Sequence, residues 1–271
     1  MLSSSDTVTL TALPPLTPAH PLTGAAALVT GGSSGIGQAL ALALAGAGIA
    51  VCLVGRNRVR LEATATAARR LGVEAIAVPC ELTDDAAVRA LPALLPPRWQ
   101  TMHLLLHCAG TVAHGRLATH AISELDRQYQ LNVRAPYLLT QVLLPHLAAT
   151  ALRPYTIVFI NSMAAYICKA ENGQYSATKA ALKAVADSLR EEVTPQGGRV
   201  LSVYPGKTAT PLLRQLCAAD GEQYHAEHYI QPVDLAALVL DALRLPGTAL
   251  LPDLQVRSVR HAPVPLAGAS R

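Results

Sequence analysis

The chain has 271 residues, enough for one large α/β domain or two small domains with a substantial buried core. Hydrophobic residues make up 51% of the chain and charged residues only 15%, which excludes an intrinsically disordered protein. The net charge of +4 comes from arginines scattered along the chain, with no basic run typical of a nucleic-acid-binding groove. No nucleic-acid partner is therefore expected.

The cysteines and histidines indicate neither disulfides nor a metal site. The five cysteines are an odd number without a Cys-x-x-Cys pair, as is typical of free thiols in a reducing compartment, so a cytoplasmic location is expected. His103 and His107 have the four-residue spacing of a helical metal site, but they lie in a predicted strand. His225, Glu227 and His228 lie in a segment between the sixth predicted strand and the last helix, and no metal site is expected there.

The first 22 residues are rich in proline and threonine, and they are predicted to form a flexible extension. They lack the basic region of a secretory signal and the arginines of a mitochondrial one. Positions 39–55 are apolar, but Gly46 and Gly48 interrupt them, so two short buried elements are expected rather than a membrane span. A folded domain is predicted over 23–256, followed by a tail at 257–271.

Strands and helices alternate along that domain. Strands are predicted at 26–30, 49–55, 74–80, 102–110, 156–162, 199–206 and 249–254. Helices are predicted at 38–48, 60–72, 122–131, 135–149, 174–193 and 238–245, with a partly helical segment at 84–95 that Pro92 interrupts. Because the strands are apolar throughout, a parallel sheet covered on both faces is expected. The predicted fold is a single doubly wound, Rossmann-type α/β domain with about seven strands.

A glycine-rich segment follows the first strand and opens a helix. Gly31 would permit a tight turn, Gly35 would let a pyrophosphate approach the backbone, and Gly37 would let the helix pack closely on the strand. Phosphates would then bind the free N–H groups at the positive end of the helix. The predicted cofactor contacts in this segment also include Ser33, Ser34 and Ile36.

The end of the second strand predicts the type of dinucleotide. An enzyme that uses NAD usually has a carboxylate here for the ribose diol, whereas this chain has Gly55 followed by Arg56 and Asn57. A guanidinium could bind the 2′-phosphate of NADP, and the missing carboxylate removes a repulsion. NADP is therefore expected and NAD is less favoured, with Arg56 and Asn57 as contacts.

Five ordered motifs identify a family. TGGSSGIG at 30–37, Asn132 in LNVRAPY, Ser162, the segment from Tyr175 to Lys179, and YPGKTATP at 204–211 together resemble the short-chain dehydrogenase/reductase family. A tyrosine four residues before a lysine is weak evidence alone, but the five motifs occur in order. The resemblance covers about residues 24–255.

The resemblance implies a catalytic group made of Asn132, Ser162, Tyr175 and Lys179. A carbonyl reduced by hydride must gain a proton on oxygen, and Tyr175 would supply it. Lys179 lies one helical turn away; it would lower the pKa of Tyr175 and hold the nicotinamide ribose. Ser162 would bond the substrate oxygen, and Asn132 would anchor a water that connects Lys179 to solvent.

The resemblance also implies further cofactor contacts. Ala109 and Gly110 match the turn after the fourth strand, although His107 and Cys108 replace the two asparagines common there. Adenine recognition is expected near Glu81 and Leu82. The remaining predicted contacts follow the sixth strand: Pro205, Gly206, Thr208 and Thr210. Residues 207–231 are expected to form a lid over substrate, and loop 111–121 to share in specificity.

The sequence thus predicts an NADP-dependent oxidoreductase that interconverts a small-molecule carbonyl and a secondary alcohol. Two alternatives stay open: a 3-oxoacyl-(acyl-carrier-protein) reductase and a non-catalytic, dinucleotide-binding regulatory protein. A homodimer or homotetramer is expected, because apolar helices at 122–147 and 174–193 pack between subunits in the family. No metal and no membrane partner are expected.

Overall fold

The computed structural model describes residues 22–149, 154–246 and 248–259. In those residues seven parallel strands form one sheet in the order β3-β2-β1-β4-β5-β6-β7. The strands are β1 Ala26–Thr30, β2 Ala50–Gly55, β3 Ala75–Pro79, β4 Leu104–His107, β5 Tyr155–Ile160, β6 Gly198–Pro205 and β7 Asp253–Val256. This architecture confirms the predicted doubly wound, Rossmann-type fold.

The helices connect these strands and cover the sheet. They are α1 Gly35–Gly46, α2 Arg58–Arg70, α3 Asp85–Leu94, α4 Ile122–Tyr129, α5 Ala135–Leu143, α6 Gly173–Val193, α7 Pro211–Ala219 and α8 Pro232–Leu243. A short π-helical turn, Gln130–Arg134, joins α4 to α5. In the described chain, α7 follows β6 inside the segment predicted to be a lid.

Alternate residues of the buried strands face two separate cores. In β1, Ala27 and Val29 belong to a core shared with α1, α2 and α8. Their neighbours Ala26 and Leu28 belong to the opposite core, shared with α3, α5 and α6. Since successive side chains of a strand point to opposite faces, a strand buried on both faces must be apolar throughout, as these strands are.

The strand order reverses between β1 and β4. From β1 the chain runs outward through β2 to β3, and it then crosses back to β4 and continues to β7. The loops after β1 and β4 therefore diverge and leave a crevice at the carboxyl ends of the strands, where open α/β sheets bind ligands. The glycine-rich segment and Ala109 both lie at this crevice.

Several predicted boundaries were wrong for local reasons. Strand β4 ends at His107 instead of 110, because the N–H groups of Cys108 and Ala109 donate to the Thr30 hydroxyl. The helix predicted at 135–149 leaves α geometry after Leu143, where a 3-10 turn contains Pro145.

Two further predictions near the ends of elements were also wrong. Helix α3 continues through Pro92, which lies in its last turn, so the i→i−4 bond that proline cannot make is lost near the helix end rather than in its middle. The last strand spans Asp253–Val256 rather than 249–254, and it pairs with β6 from Ser202 to Pro205. The apolar run before it was mistaken for the strand.

The predicted terminal segments fall mostly outside the described residues. Of the extension predicted over 1–22, only Leu22 is described, and it is buried in the core that contains α1. Of the tail predicted over 257–271, residues 257–259 are described. Within the described ranges, every helix is too short or too polar to cross a membrane.

His107 is a buried titratable group beneath the crevice. Its Nε2 lies 2.9 Å from the Thr140 hydroxyl oxygen, and its ring stacks on Phe159 with a centroid separation of 4.8 Å. Burial lowers the pKa of His107 from 6.5 to about 3, because the imidazolium cannot be solvated there. The folded protein therefore holds His107 neutral at neutral pH.

His107 should make the folded state sensitive to acid. The unfolded chain takes up a proton near pH 6.5 and the folded chain does not, so stability falls as the pH drops from about 6.5 towards 3. We expect His107→Gln to reduce this dependence by up to about 1.4 kcal/mol per pH unit. Urea unfolding at pH 7, 6 and 5 checks this; identical slopes for both proteins would contradict it.

Candidate active site

Three glycines shape the turn after β1. Gly31 has a φ of +67°, and a Cβ there would lie 2.9 Å from the backbone nitrogen of Ala109. A Cβ on Gly37 would lie 2.4 Å from the Gly31 carbonyl oxygen. Gly35 has a φ of +56° and lies under the Thr210 side chain. Any side chain here would push β1, β4 and α1 apart, so the glycines set the close packing of the crevice.

The start of α1 fits a phosphate group. Within the described chain, Ser34 occupies the N-cap position of α1 without a side-chain capping bond, whereas Asn57, Asp84 and Thr210 cap α2, α3 and α7. Free N–H groups at a helix start favour an anion. An adjoining cleft of about 380 Å³ is lined by Ser33, Ser34, Gln38, Arg60, Ala63, Pro211 and Gln215.

Of the predicted contacts after β2 and β3, one is exposed to a ligand, whereas the others are buried or already bond within the protein. The Arg56 guanidinium is 74% exposed and lies 3.8 Å from the Glu81 carboxylate, so it is available to a ligand. Glu81 also accepts bonds from the Thr83 N–H and hydroxyl, and the Asn57 side chain accepts the Arg60 N–H. The predicted contact Leu82 is buried in the core that contains α3, which leaves only its backbone for a ligand.

Arg60 is a residue that the sequence reasoning missed. It lines the same cleft as Ser33 and Ser34 and lies in the first turn of α2. The available signal was the series Arg56, Arg58 and Arg60, which begins just before the helix. Arg56 and Arg60 are therefore two cations near the predicted dinucleotide site.

Gly110 and Asn132 connect the loop after β4 to α6. A Cβ on Gly110 would lie 3.3 Å from Asn132 Oδ1 and 3.9 Å from Lys179 Nζ. Asn132 Oδ1 accepts the Thr111 N–H at 2.8 Å, and its Nδ2 donates to the Thr111 carbonyl and to the Thr178 hydroxyl. These bonds occupy the side-chain amide of Asn132. The predicted relay water would therefore have to bind the main chain of Asn132.

Ser162, Tyr175 and Lys179 meet at the carboxyl end of β5. Ser162 follows β5, its hydroxyl accepts the Ala164 N–H at 3.1 Å, and it lies close enough to Tyr175, in the first turn of α6, to act on the pKa of that phenol. Lys179 Nζ lies 5.8 Å from the centre of the Tyr175 ring and donates to the Ile160 carbonyl at 3.1 Å. The structure therefore brings these three predicted residues together, beside Asn132 and Gly110.

The direction of the Tyr175 pKa shift differs from the one predicted from the sequence. Burial raises the pKa of Tyr175 above its usual 10.0, and the bond with Ser162 opposes this only in part. Burial also lowers the pKa of Lys179 to about 8. The predicted lowering of the Tyr175 pKa by Lys179 is wrong for this structure, because desolvation of the buried phenol sets the direction of its pKa shift. Tyr175 therefore keeps its proton at neutral pH.

The predicted contacts after β6 form the base of the lid segment. Pro205 ends β6, and the Gly206 N–H donates to the Val256 carbonyl at 2.8 Å. The Thr208 hydroxyl donates back to the Gly206 carbonyl, and the Thr210 hydroxyl accepts the Leu213 N–H at the start of α7. These bonds place Thr210 over Gly35, so α7 begins above the glycine turn.

Loop 111–121 is tied to the segments on either side of it. His114 Nδ1 lies 2.7 Å from the carboxylate of Asp220, directly after α7. The Gly115 N–H donates to the Glu171 carbonyl at 2.7 Å, and Arg116 pairs with the Glu171 carboxylate at 3.0 Å. Glu171 has a φ of +67°, a strained conformation for this residue type. These contacts join loop 111–121 to the lid segment and to the turn before α6.

The described residues contain no cluster of three or more histidine, cysteine or acidic side chains able to hold a metal ion. His107 instead bonds Thr140, and His225 stacks with His228 at a ring separation of 5.2 Å.

Comparisons with known proteins agree with this geometry. The model of the short chain dehydrogenase family matches residues 25–221. The chain is 32% identical over 242 residues to a rhamnolipids biosynthesis 3-oxoacyl-[acyl-carrier-protein] reductase of Pseudomonas aeruginosa, covering 85% of this chain and 93% of that protein. It is also 32% identical over 248 residues to glycine betaine reductase ATRR of Emericella nidulans, covering 88% of this chain but only 19% of that protein.

A solved structure shows the same architecture. A short chain dehydrogenase from Burkholderia cenocepacia in complex with NADP is 30% identical, with a TM-score of 0.76. The match covers 88% of this chain and 98% of that chain. The similarity therefore covers most of the chain.

The glycine turn can be tested with two substitutions in the same helix. Gly37→Ala should lower the unfolding free energy by about 1–3 kcal/mol, the usual cost of overpacking, and weaken NADPH binding. Gly46→Ala is the matched control: a Cβ there meets nothing within 4 Å, and alanine should stabilise α1 by about 0.5–1 kcal/mol. Urea unfolding and NADPH fluorescence check both; equal effects would contradict the packing argument.

Proposed function

Since the chain belongs to the short chain dehydrogenase family, we propose that it is an NADP-dependent oxidoreductase that interconverts a carbonyl and a secondary alcohol. The observation that carries the proposal is the meeting of Ser162, Tyr175 and Lys179 beside the crevice that begins at the glycine turn. A purely regulatory dinucleotide binder would not need a buried lysine next to a serine–tyrosine pair.

The proposed mechanism assigns a separate task to each side chain. Bound NADPH would supply the hydride to the carbonyl carbon. Tyr175 would donate its proton to the carbonyl oxygen, and the Ser162 hydroxyl would bond that oxygen as negative charge develops on it. Because burial raises the pKa of Tyr175, the proton is present at neutral pH, which suits the reductive direction.

Lys179 would support both the proton transfer and the cofactor. Its ammonium stabilises a phenolate on Tyr175 once the proton has left, and it is placed to bind ribose hydroxyls. Its pKa of about 8 means that it is mostly charged at pH 7 and loses charge above pH 8. The bond to the Ile160 carbonyl holds Nζ on the Tyr175 side of α6.

Two features favour NADP. Arg56 is exposed at the end of β2, and Arg60 lies in the cleft beside Ser33 and Ser34, so two cations are available to bind a 2′-phosphate. The similar Burkholderia cenocepacia protein was solved in complex with NADP. Glu81 lies beside Arg56, and we propose that a bound phosphate replaces it as the partner of Arg56.

A second candidate substrate class is the 3-oxoacyl thioester. The similarity to the Pseudomonas aeruginosa 3-oxoacyl-[acyl-carrier-protein] reductase, over 93% of that protein, favours it. Rates of NADPH oxidation with a short 3-oxoacyl thioester, an aromatic ketone and an aliphatic aldehyde would separate this class from general carbonyl reduction.

We propose the cytoplasm as the location, since all five cysteines are free thiols.

Cofactor choice is tested by reversing one charge. Arg56→Asp should weaken NADPH binding about tenfold, the loss of one charge-assisted hydrogen bond of ~1.5 kcal/mol, and leave NADH binding unchanged. Arg70→Asp makes the same charge change at the other end of α2 and should change neither. Fluorescence titration measures all six affinities, those of three proteins for two cofactors; equal native affinities for NADPH and NADH would refute the preference.

The acid is tested by removing one oxygen. Tyr175→Phe keeps the ring and should retain NADPH binding, while the rate of reduction falls about 10² to 10⁴-fold, as expected for a lost general acid. Lys179→Ala should lower the rate and also weaken NADPH binding. Single-turnover kinetics on the best carbonyl of the three classes above provides the measurement. A native rate in Tyr175→Phe would place the acid elsewhere.

Assembly is the remaining proposal. Ile122, Tyr129 and Tyr137 are large hydrophobic residues exposed on α4 and α5, and we propose that they pack against a second copy in a dimer or tetramer. Light scattering should report a multiple of 28.4 kDa. Tyr137→Glu should favour the monomer, whereas Leu94→Glu, an exposed position on α3, should not. A native particle of 28.4 kDa would contradict the proposal.

A further inference from the structure

Asn161 is a buried polar residue between the last residue of β5 and Ser162. It is only 3% exposed, and neither the motifs nor the proposed mechanism uses it. Its backbone N–H donates to the Val203 carbonyl of β6 at 2.8 Å, so its main chain is fixed to the sheet. A buried amide is expected to have its hydrogen-bonding groups paired, and the partners of Asn161 belong to the site.

The Asn161 side chain links two residues of the candidate active site. Its Oδ1 accepts the Ser162 N–H at 2.9 Å, and its Nδ2 donates to the Lys179 carbonyl at 3.1 Å. The orientation of the amide follows from its partners, because a backbone N–H can only donate and a carbonyl can only accept. Asn161 therefore joins the backbone of Ser162 to the backbone of Lys179 across the gap between β5 and α6.

The two ends of Lys179 are held by consecutive residues. The Ile160 carbonyl accepts a bond from Lys179 Nζ at 3.1 Å, and the Asn161 amide binds the Lys179 carbonyl. Ser162 follows these residues directly, and Tyr175 lies one turn before Lys179 on α6. A change in the distance between β5 and α6 would therefore move Ser162 away from Tyr175.

We propose that Asn161 is a positioning residue that fixes the Ser162 hydroxyl relative to Tyr175 and Lys179, an inference that rests on the proposed reductase function. It touches neither cofactor nor substrate in this scheme and acts through its two neighbours. Losing its link should lower the rate at saturating NADPH by about 10- to 100-fold, the effect of small misplacements of catalytic groups. The KM for the carbonyl should change much less.

The substitution Asn161→Asp should make the rate depend on pH in a way that a merely structural role would not. Neutral aspartic acid can accept from the Ser162 N–H and donate its O–H to the Lys179 carbonyl, as the amide does. The ionised form has no donor and sets a carboxylate oxygen against that carbonyl. We therefore expect the rate of Asn161→Asp, relative to the native protein, to be close to native at pH 5.5 and to fall as the pH rises to 8.

The experiment uses the full chain, saturating NADPH and the most rapidly reduced of three probes: a short 3-oxoacyl thioester, an aromatic ketone and an aliphatic aldehyde. Single-turnover rates are measured from pH 5.5 to 8, beside urea unfolding at each pH. Asn161→Leu should be slow at every pH. If Asn161→Leu does not fold, Asn161→Ala removes the same donor without adding bulk. Thr140→Val, the control, deletes a buried hydrogen bond to His107 and should lower stability without altering the pH profile.

Each outcome of this experiment either supports or overturns the proposed role of Asn161. A relative rate of Asn161→Asp that falls with pH while the protein stays folded supports it. A profile parallel to that of the native protein, or a native rate in Asn161→Leu or Asn161→Ala, overturns it. Tyr175→Phe in the same assay separates the two proposals: if it keeps the native rate, the proposed mechanism fails, whatever Asn161 does.

Discussion

The geometry of the site depends on burying one ammonium group. Lys179 is nearly inaccessible to solvent, and its Nζ has the Ile160 carbonyl as a hydrogen-bond acceptor. A buried cation is costly unless polar groups surround it, so the end of β5 and the first turns of α6 must stay close together. Ser162 and Tyr175 lie on these two elements, so the same constraint sets the distance between them.

Close packing at three glycines is the second constraint on the site. Gly31 and Gly37 allow α1 to start against the turn after β1, and Gly110 allows Asn132 and Lys179 to lie on either side of the β4 loop. These contacts bring the proposed phosphate site and the proposed proton donor to one crevice. The strand reversal between β1 and β4 opens that crevice. The strand order that defines the fold therefore also creates the site.

Sequence patterns predicted the sheet well because strands buried on both faces must be apolar, and only short loops separate them from helices. The ends of elements were harder to predict. The end of β4 depends on the Thr30 hydroxyl, which is distant in sequence from Cys108 and Ala109. In the site, motifs predicted that Ser162, Tyr175 and Lys179 would meet. They could not predict the balance between desolvation and charge at Tyr175, nor the bonds of Asn161, since both depend on three-dimensional burial.

Burial holds the proton on Tyr175, and ultraviolet difference titration tests this most directly. The absorbance of phenolate is followed from pH 6 to 12 in the ligand-free native protein and in Tyr175→Phe, and the difference isolates Tyr175. The account predicts that Tyr175 ionises only above its usual pKa of 10.0. Phenolate absorbance from Tyr175 near pH 7 to 8 would contradict it.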